Sequence, residues 1–240
     1  MHYVMSDLHG RYDLFLRMLE KISFSACDTL YLLGDLIDRG PDGIQLIQDM
    51  MKRPNVIPFL GNHEDMFYQV IRKIGKPIDV NERSVIRDTF FDWTGYTGGD
   101  VTWNSYRSLP QEQRAAILEY LESLTVFDEV SVGGNTFLLA HAGVGTWKPE
   151  KDPNDCSLHD FIWEETDYSK VYYKDKYLVT GHTPTGLIDP ACSGRIIQKN
   201  RHIAVDCGAV FTGSLGCFCL ETMEDIYVSM NPRIALWRQL

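Results

Sequence analysis

The chain has 240 residues, a formal net charge of −10, and 44% hydrophobic and 23% charged residues. This is the profile of a globular chain large enough to bury a substantial core, and it argues against a general nucleic-acid binder, which would carry a basic face. No apolar run reaches the ~18 residues needed to span a bilayer, and Met1 leads into a strand-like segment without a basic, apolar leader.

Residues 2–6 read as a short strand that runs into Asp7-Leu8-His9-Gly10. Residues two apart on an extended segment point the same way, so Asp7 and His9 face one site and Leu8 faces away. Leu14, Met18, Leu19 and Ile22 then follow helical spacing over 11–22. Leu30-Tyr31-Leu32-Leu33 reads as a buried strand. It ends in a sharp turn, Gly34-Asp35-Leu36-Ile37-Asp38-Arg39-Gly40, that delivers two acids and an arginine to the strand's C-terminal edge. A helix from 42 to about 52 buries Ile44, Ile47 and Met51. A third strand, 56–60, ends in Gly61-Asn62-His63-Glu64, and a helix through Phe67, Val70, Ile71 and Ile74 follows. This alternation predicts a parallel sheet with right-handed crossovers. In such sheets ligands bind outside the C-terminal strand ends.

Residues 75–125 break the rhythm. Gly75, Pro77, Gly95, Gly98 and Gly99 punctuate the segment, and one helix is expected over 111–124 on the face Ile117, Leu118, Leu121 and Leu124. It is too short to carry its own core comfortably, so it reads as a helical insertion within a single domain spanning 1–240. Strand patterns resume over 126–132 and 136–139, the latter ending in Ala140-His141-Ala142-Gly143. A loop with Pro149, Pro153 and the acidic run Glu164-Glu165-Thr166-Asp167 leads to a strand at 177–179 that ends in Gly181-His182-Thr183-Pro184. Closely spaced strands at about 194–198, 202–205, 215–221 and 226–230 predict an antiparallel second half. The six cysteines (27, 156, 192, 207, 217 and 219) follow no metal-binding spacing and read as reduced thiols of a cytoplasmic protein.

Each polar cluster has a plain structural explanation taken singly. His141 could be a hydrogen-bonded structural residue, Asn62 a helix cap, and Asp38 with Arg39 a mutual ion pair. His2, His159 and His202 lack a comparable setting and are read as structural or surface residues. Together, Asp7, His9, Asp35, Asn62, His141 and His182 form an oxygen and imidazole donor set that suits Mn, Fe or Zn. Asp35 has two oxygens and could bridge two ions. Two divalent ions a few ångströms apart stabilise both the attacking and the leaving oxygen of an in-line displacement.

The motifs Asp-Leu-His-Gly (7–10), Gly-Asp-Leu-Ile-Asp-Arg-Gly (34–40), Gly-Asn-His-Glu (61–64), His-Ala-Gly (141–143) and Gly-His-Thr (181–183) resemble, in order, those of the metallophosphoesterases. The likeness is to the bacterial and phage serine/threonine protein phosphatase branch. Thr97-Gly98-Gly99 and Asp206-Cys207-Gly208-Ala209-Val210 extend it. The resemblance implies an α/β fold, a sandwich of two sheets flanked by helices, and a dinuclear centre of two divalent ions with Mn²⁺ first and Fe or Zn as alternatives. By the same resemblance Asp7, His9 and Asp35 hold one ion, and Asp35, Asn62, His141 and His182 the other. His63 is the general acid, Asp38 orients it and raises its basicity, and Arg39 binds phosphate oxygens.

The implied activity is a metal-dependent phosphomonoesterase acting on phosphorylated proteins (Ser/Thr, and Tyr as a variant) or small phosphomonoesters. The alternative is a diadenosine tetraphosphate or other nucleotide phosphohydrolase. Asp38 and Glu64 favour the first, because the nucleotide branch tends to carry Ala and Asp there. A pseudoenzyme that only binds a phosphorylated partner would have no need of His63. No nucleic-acid or membrane partner is expected. One departure stands out: the branch usually supplies a second arginine soon after a Trp, whereas Trp163 precedes two glutamates here, so either Arg107 or Arg195 takes over or one arginine and the metals hold the phosphate.

Overall fold

The computed structural model describes residues 1–74, 76 and 79–230. Gly75 and Pro77, read as helix breakers, lie outside the described residues. The chain opens as β1 (His2–Met5), α1 (Tyr12–Lys21), β2 (Thr29–Leu32), α2 (Gly43–Met50), β3 (Val56–Pro58) and α3 (Asn62–Ile71). β1 pairs with β2 and β2 with β3, both in parallel. Both faces of these strands are covered, which is why they read as continuous apolar runs rather than alternating ones. Tyr3, Met5, Leu30 and Leu32 pack toward the helices, while Val4, Tyr31, Leu33 and Phe59 pack toward a second sheet.

That second sheet is built from β4 (Phe127–Val132), β5 (Asn135–Ala140), β6 (Tyr177–Thr180), β7 (Ile197–Lys199) and β8 (His202–Ala204), in the order β4-β5-β6-β8-β7. Phe137, Leu139, Val179 and Ile203 supply its inner face. On its outer face Leu138 and Leu178 pack with Phe161 and Ile162 of α7 (Leu158–Ile162) and with Tyr172 and Tyr173. The layers therefore run helix, sheet, sheet, helix, as expected.

The antiparallel second half holds only in pieces. β7 pairs antiparallel with β8, but β5–β6 and β6–β8 are parallel. β9 (Ser214–Cys219) and β10 (Glu224–Ser229) pair with each other and join the first sheet, where β9 lies antiparallel to β1. Local spacing identifies a hairpin but not the sheet that receives it. Between β6 and β9 lie the short helices α8 (Thr185–Ile188) and α9 (Ala209–Thr212).

Among the described residues of 75–125 there are three helices where one was expected: α4 (Val80–Tyr96), α5 (Gly99–Arg107) and α6 (Gln111–Glu122). α4 shows no apolar stripe, and Trp93 is its one buried residue. Gly95 does not break it: the helix runs through it, and a Cβ there would meet nothing within 4 Å. Among the described residues no helix is long and apolar enough to cross a membrane. All six cysteines are free.

Candidate metal and phosphate site

The loops after β1, β2 and β3, and those after β5 and β6, converge at one place. Their turns are tight. Among the described residues, six of eleven non-glycine residues with positive φ are Asp7, His9, Asp35, Asp38, Arg39 and His182. Such conformations are costly for residues with a Cβ and collect at functional sites.

Asp35 lies at the centre, 2% exposed. Its Oδ2 faces His9 Nε2 at 3.5 Å and His63 Nε2 at 3.8 Å, and its Oδ1 faces His141 Nε2 at 3.4 Å. Two candidate groups share it: His9, Asp35 and His63 on one side, and Asp35, His141 and His182 on the other, each with donor atoms within 4.8 Å of one another. The Asn62 amide oxygen completes the second group, 2.9 Å from His141 Nε2 and 3.1 Å from His182 Nδ1. Asn62 opens α3 but Gly61 occupies the cap position, so Asn62 is not a cap. Asp7 is buried beside them, and its Oδ2 accepts the His182 backbone N–H at 2.9 Å. It reaches Asp35 through charge repulsion and falls outside both close groups.

The histidines are held in one orientation. His9 Nδ1 meets the Ile37 carbonyl at 2.8 Å, and His141 Nδ1 meets that of Leu33 at 2.6 Å. The Trp163 carbonyl does the same for the His182 ring. Fixing one ring nitrogen on a carbonyl sets the tautomer and directs the other lone pair into the site. Burial first, then the neighbouring His63 and Arg39, holds His9 well below the usual histidine range, and burial, then His141 and His63, lowers His182 to about 3. Burial also raises the Asp7 and Asp35 carboxyls, and their mutual repulsion adds to Asp35. Neutral imidazoles and crowded carboxylates with little positive charge between them form a donor set that fits divalent cations. These donors are of the expected kinds, with His63 rather than Asp7 in the first close group.

His63 Nδ1 and Asp38 Oδ2 are 2.6 Å apart, and both residues are buried. Burial, followed by Arg39 and His141, pushes the His63 ring well below its ordinary range. Asp38 is itself pushed up to about 7 by burial, against the contacts it makes with Thr102 and Trp93. Asp38 and Arg39 do not pair with each other. Exposed Arg39 extends into the cluster, meeting His9 Nε2 and, at 3.0 Å, His63 Nε2, with its guanidinium over the Phe211 ring at 5.4 Å. Phe211 is 68% exposed.

Among the described residues no contact joins either substitute for the second arginine to this cluster. Arg195 stacks over Tyr227 on the β10 side, and Arg107 ends α5. The segment after Trp163 does reach the site through its carbonyl, but it carries Glu164, whose carboxylate faces Thr146.

Sequence reasoning missed the physical work of Glu64. Fully buried, its carboxylate accepts four backbone N–H groups: Asp35 (2.8 Å), Leu36 (2.8 Å), Ile37 (3.2 Å) and Gly61 (3.1 Å). It clamps the Asp35 turn to the start of α3. It also missed Trp93, Thr102 and Phe211.

Residues 3–209 match the family model described as calcineurin-like phosphoesterase. The bis(5'-nucleosyl)-tetraphosphatase PrpE, asymmetrical type, of Geobacillus sp. strain WCH70 is 25% identical over 94% of this chain and 92% of its own. A solved structure assigned provisionally as a diadenosine tetraphosphatase superposes with a TM-score of 0.66 at 18% identity, covering 96% of this chain and 94% of that one. A protein serine/threonine phosphatase from Saccharomyces cerevisiae gives 0.53 at 14% identity, with coverages of 96% and 79%. At such identities the two structures establish a shared fold and no more.

Proposed function

The chain belongs to the calcineurin-like phosphoesterase family, and on that premise we propose that it is a metal-dependent phosphohydrolase acting on dinucleoside polyphosphates. The observation that carries the chemistry is Asp35, with one carboxylate oxygen facing each of two histidine groups. Asp7, His9 and Asp35 would hold one divalent cation, and Asp35, Asn62, His141 and His182 the second. Bound there, the cations supply Lewis acidity toward phosphoryl oxygens and a more acidic water. Arg39, exposed and beside His63, offers a planar fork to the non-bridging oxygens. His63 is placed to protonate the leaving oxygen, and Asp38 holds its far nitrogen.

The substrate assignment departs from the expectation of a phosphoprotein phosphatase. That expectation leaned on Asp38 and Glu64. Glu64 is buried under backbone N–H groups and Asp38 is bound to His63, so neither faces a substrate. Both report how the scaffold is built. The relatives that span this chain are named for dinucleoside tetraphosphates. The exposed Phe211 ring beside Arg39 provides an aromatic face on which a base can stack. A second reading, a phosphopeptide monoesterase, is favoured by the single arginine in the cleft and by Glu164 near its rim.

Comparing kcat/KM for diadenosine tetraphosphate and a phosphoserine peptide, at the same Mn²⁺ and ionic strength, separates the two. A preference of tenfold or more for the dinucleotide, about 1.4 kcal/mol of transition-state binding, is expected, and Phe211→Ala should reduce it. A preference for the peptide, unchanged in Phe211→Ala, would establish the second reading.

A further inference from the structure

The outer end of the His63–Asp38 pair lies inside the insertion. Asp38 Oδ2 accepts two hydrogen bonds, from His63 Nδ1 at 2.6 Å and from the Trp93 indole Nε1 at 2.7 Å. The Asp38 backbone N–H donates to Thr102 Oγ1 at 2.9 Å. The next backbone N–H, that of Arg39, donates to the Gly98 carbonyl at 2.9 Å. Trp93 belongs to α4 and Thr102 to α5, so both grips on Asp38 come from the insertion.

From this geometry we infer that Trp93 and Thr102 are positioning residues that aim His63 at the leaving group through Asp38. The inference rests on the general-acid role proposed for His63. Asp38 is fully buried and sits at a positive φ of 69°, a conformation that neighbouring contacts must hold in place. Thr102 fixes its backbone, and the indole N–H fixes which oxygen points at His63. A buried tryptophan needs an acceptor for its N–H, but any nearby carbonyl would serve a residue used only for packing. Here the acceptor is the one carboxylate oxygen that the histidine also uses, and bonds to a charged acceptor are the strong ones.

The indole is held from several sides. Phe67 and Phe90 pack edge-on against it at 5.5 and 6.1 Å. Gly99 lies so close that a Cβ there would come within 2.2 Å of the ring. The Gly98-Gly99 pair thus brings α5 against both the indole and the Arg39 backbone.

In the step concerned, the oxygen of a water bonds to phosphorus and gives up one proton to solvent, and the bond from phosphorus to the leaving oxygen breaks, its electron pair staying on that oxygen. His63 supplies the proton that neutralises it and regains one from solvent. An alkoxide leaving group depends on that proton, whereas a nitrophenolate scarcely does. A mispositioned acid therefore shows itself as a leaving-group bias, which general loss of packing does not produce.

The test compares kcat on an alkyl phosphate monoester and on nitrophenyl phosphate, with the metal-loaded enzyme throughout. Trp93→Phe should lose at least tenfold more on the alkyl ester than on the aryl ester, with KM little changed. Thr102→Val should show a bias of the same sign, and it carries the test if Trp93→Phe does not fold. Phe90→Leu disturbs the same aromatic cluster but keeps the indole N–H, so its alkyl-to-aryl ratio should stay at the wild-type value. In a His63→Asn background Trp93→Phe should add no further bias. Equal losses on both substrates in Trp93→Phe and Thr102→Val, with a clear bias in His63→Asn, would overturn this inference alone. No bias in His63→Asn would overturn the general-acid reading along with it.

Discussion

Glu64 shows how much of the site depends on a residue that touches no substrate. Its carboxylate looks back 29 residues from the start of α3 to the turn that presents Asp35. Four backbone N–H groups converge on two oxygens, so a buried negative charge is matched by donors rather than by a cation. Glu64→Gln keeps the shape but turns one acceptor into an NH₂ group facing other donors. Leaving buried backbone donors unpaired costs ~1–3 kcal/mol each. Denaturant unfolding should therefore show a loss of that order. A metal titration should show weaker binding, because Asp35 holds its positive φ of 54° only while the clamp is closed. Wild-type stability together with wild-type metal affinity would contradict this role. The sequence made Glu64 visible as part of a tetrad but gave no sign of its direction. A contact across so many residues leaves no local pattern.

At the level of elements, legibility followed periodicity. The strands β1, β2 and β3 and the helices α1–α3 carry continuous apolar runs or clean apolar faces, and they lie where the spacing predicts. α4 does not, because 17 residues with a single buried side chain have no stripe to read. Its partner α5 was masked by Gly98 and Gly99, which look like loop punctuation. Gly98 does turn the chain, at a φ of 82°, while Gly99 serves close packing on Trp93. Gly99→Ala puts a methyl group into the indole of a fully buried tryptophan. Overpacking of this kind costs ~1–3 kcal/mol, and here it should also displace the indole from Asp38. The variant is expected to melt earlier and to lose activity on alkyl phosphates. A normal melting temperature with full activity would mean that the insertion packs loosely, contrary to the structure.

For the molecule as a whole, the two sheets matter because they bring distant loops to one point. His9 and Asp35 come from the first sheet, His141 and His182 from the second, with more than a hundred residues between the ends of this set. The sequence motifs announced which residues would meet, since each closes a strand. They did not announce that β9 and β10 would return to the first sheet, because pairing between distant strands depends on packing that no local window contains. The net charge of −10 includes acids inside the cluster, since Asp7, Asp35, Asp38 and Glu64 are all buried. Salt screens the exposed charges beyond a Debye length of ~8 Å, so distant surface acids do not set the field there.

On the proposed reading, this cluster would hold two divalent cations, with Asp35 contributing to both positions, and would serve to hydrolyse phosphate esters. Elemental analysis of the purified wild type and Asp35→Asn, paired with turnover of nitrophenyl phosphate, tests it most directly. The wild type should bind close to two ions per chain and lose activity on chelation, regaining it with Mn²⁺. Asp35→Asn should lose most of both metal and turnover, because one carboxylate supplies charge to both positions. Two ions retained at normal affinity by Asp35→Asn, or full turnover in the chelated wild type, would contradict the account.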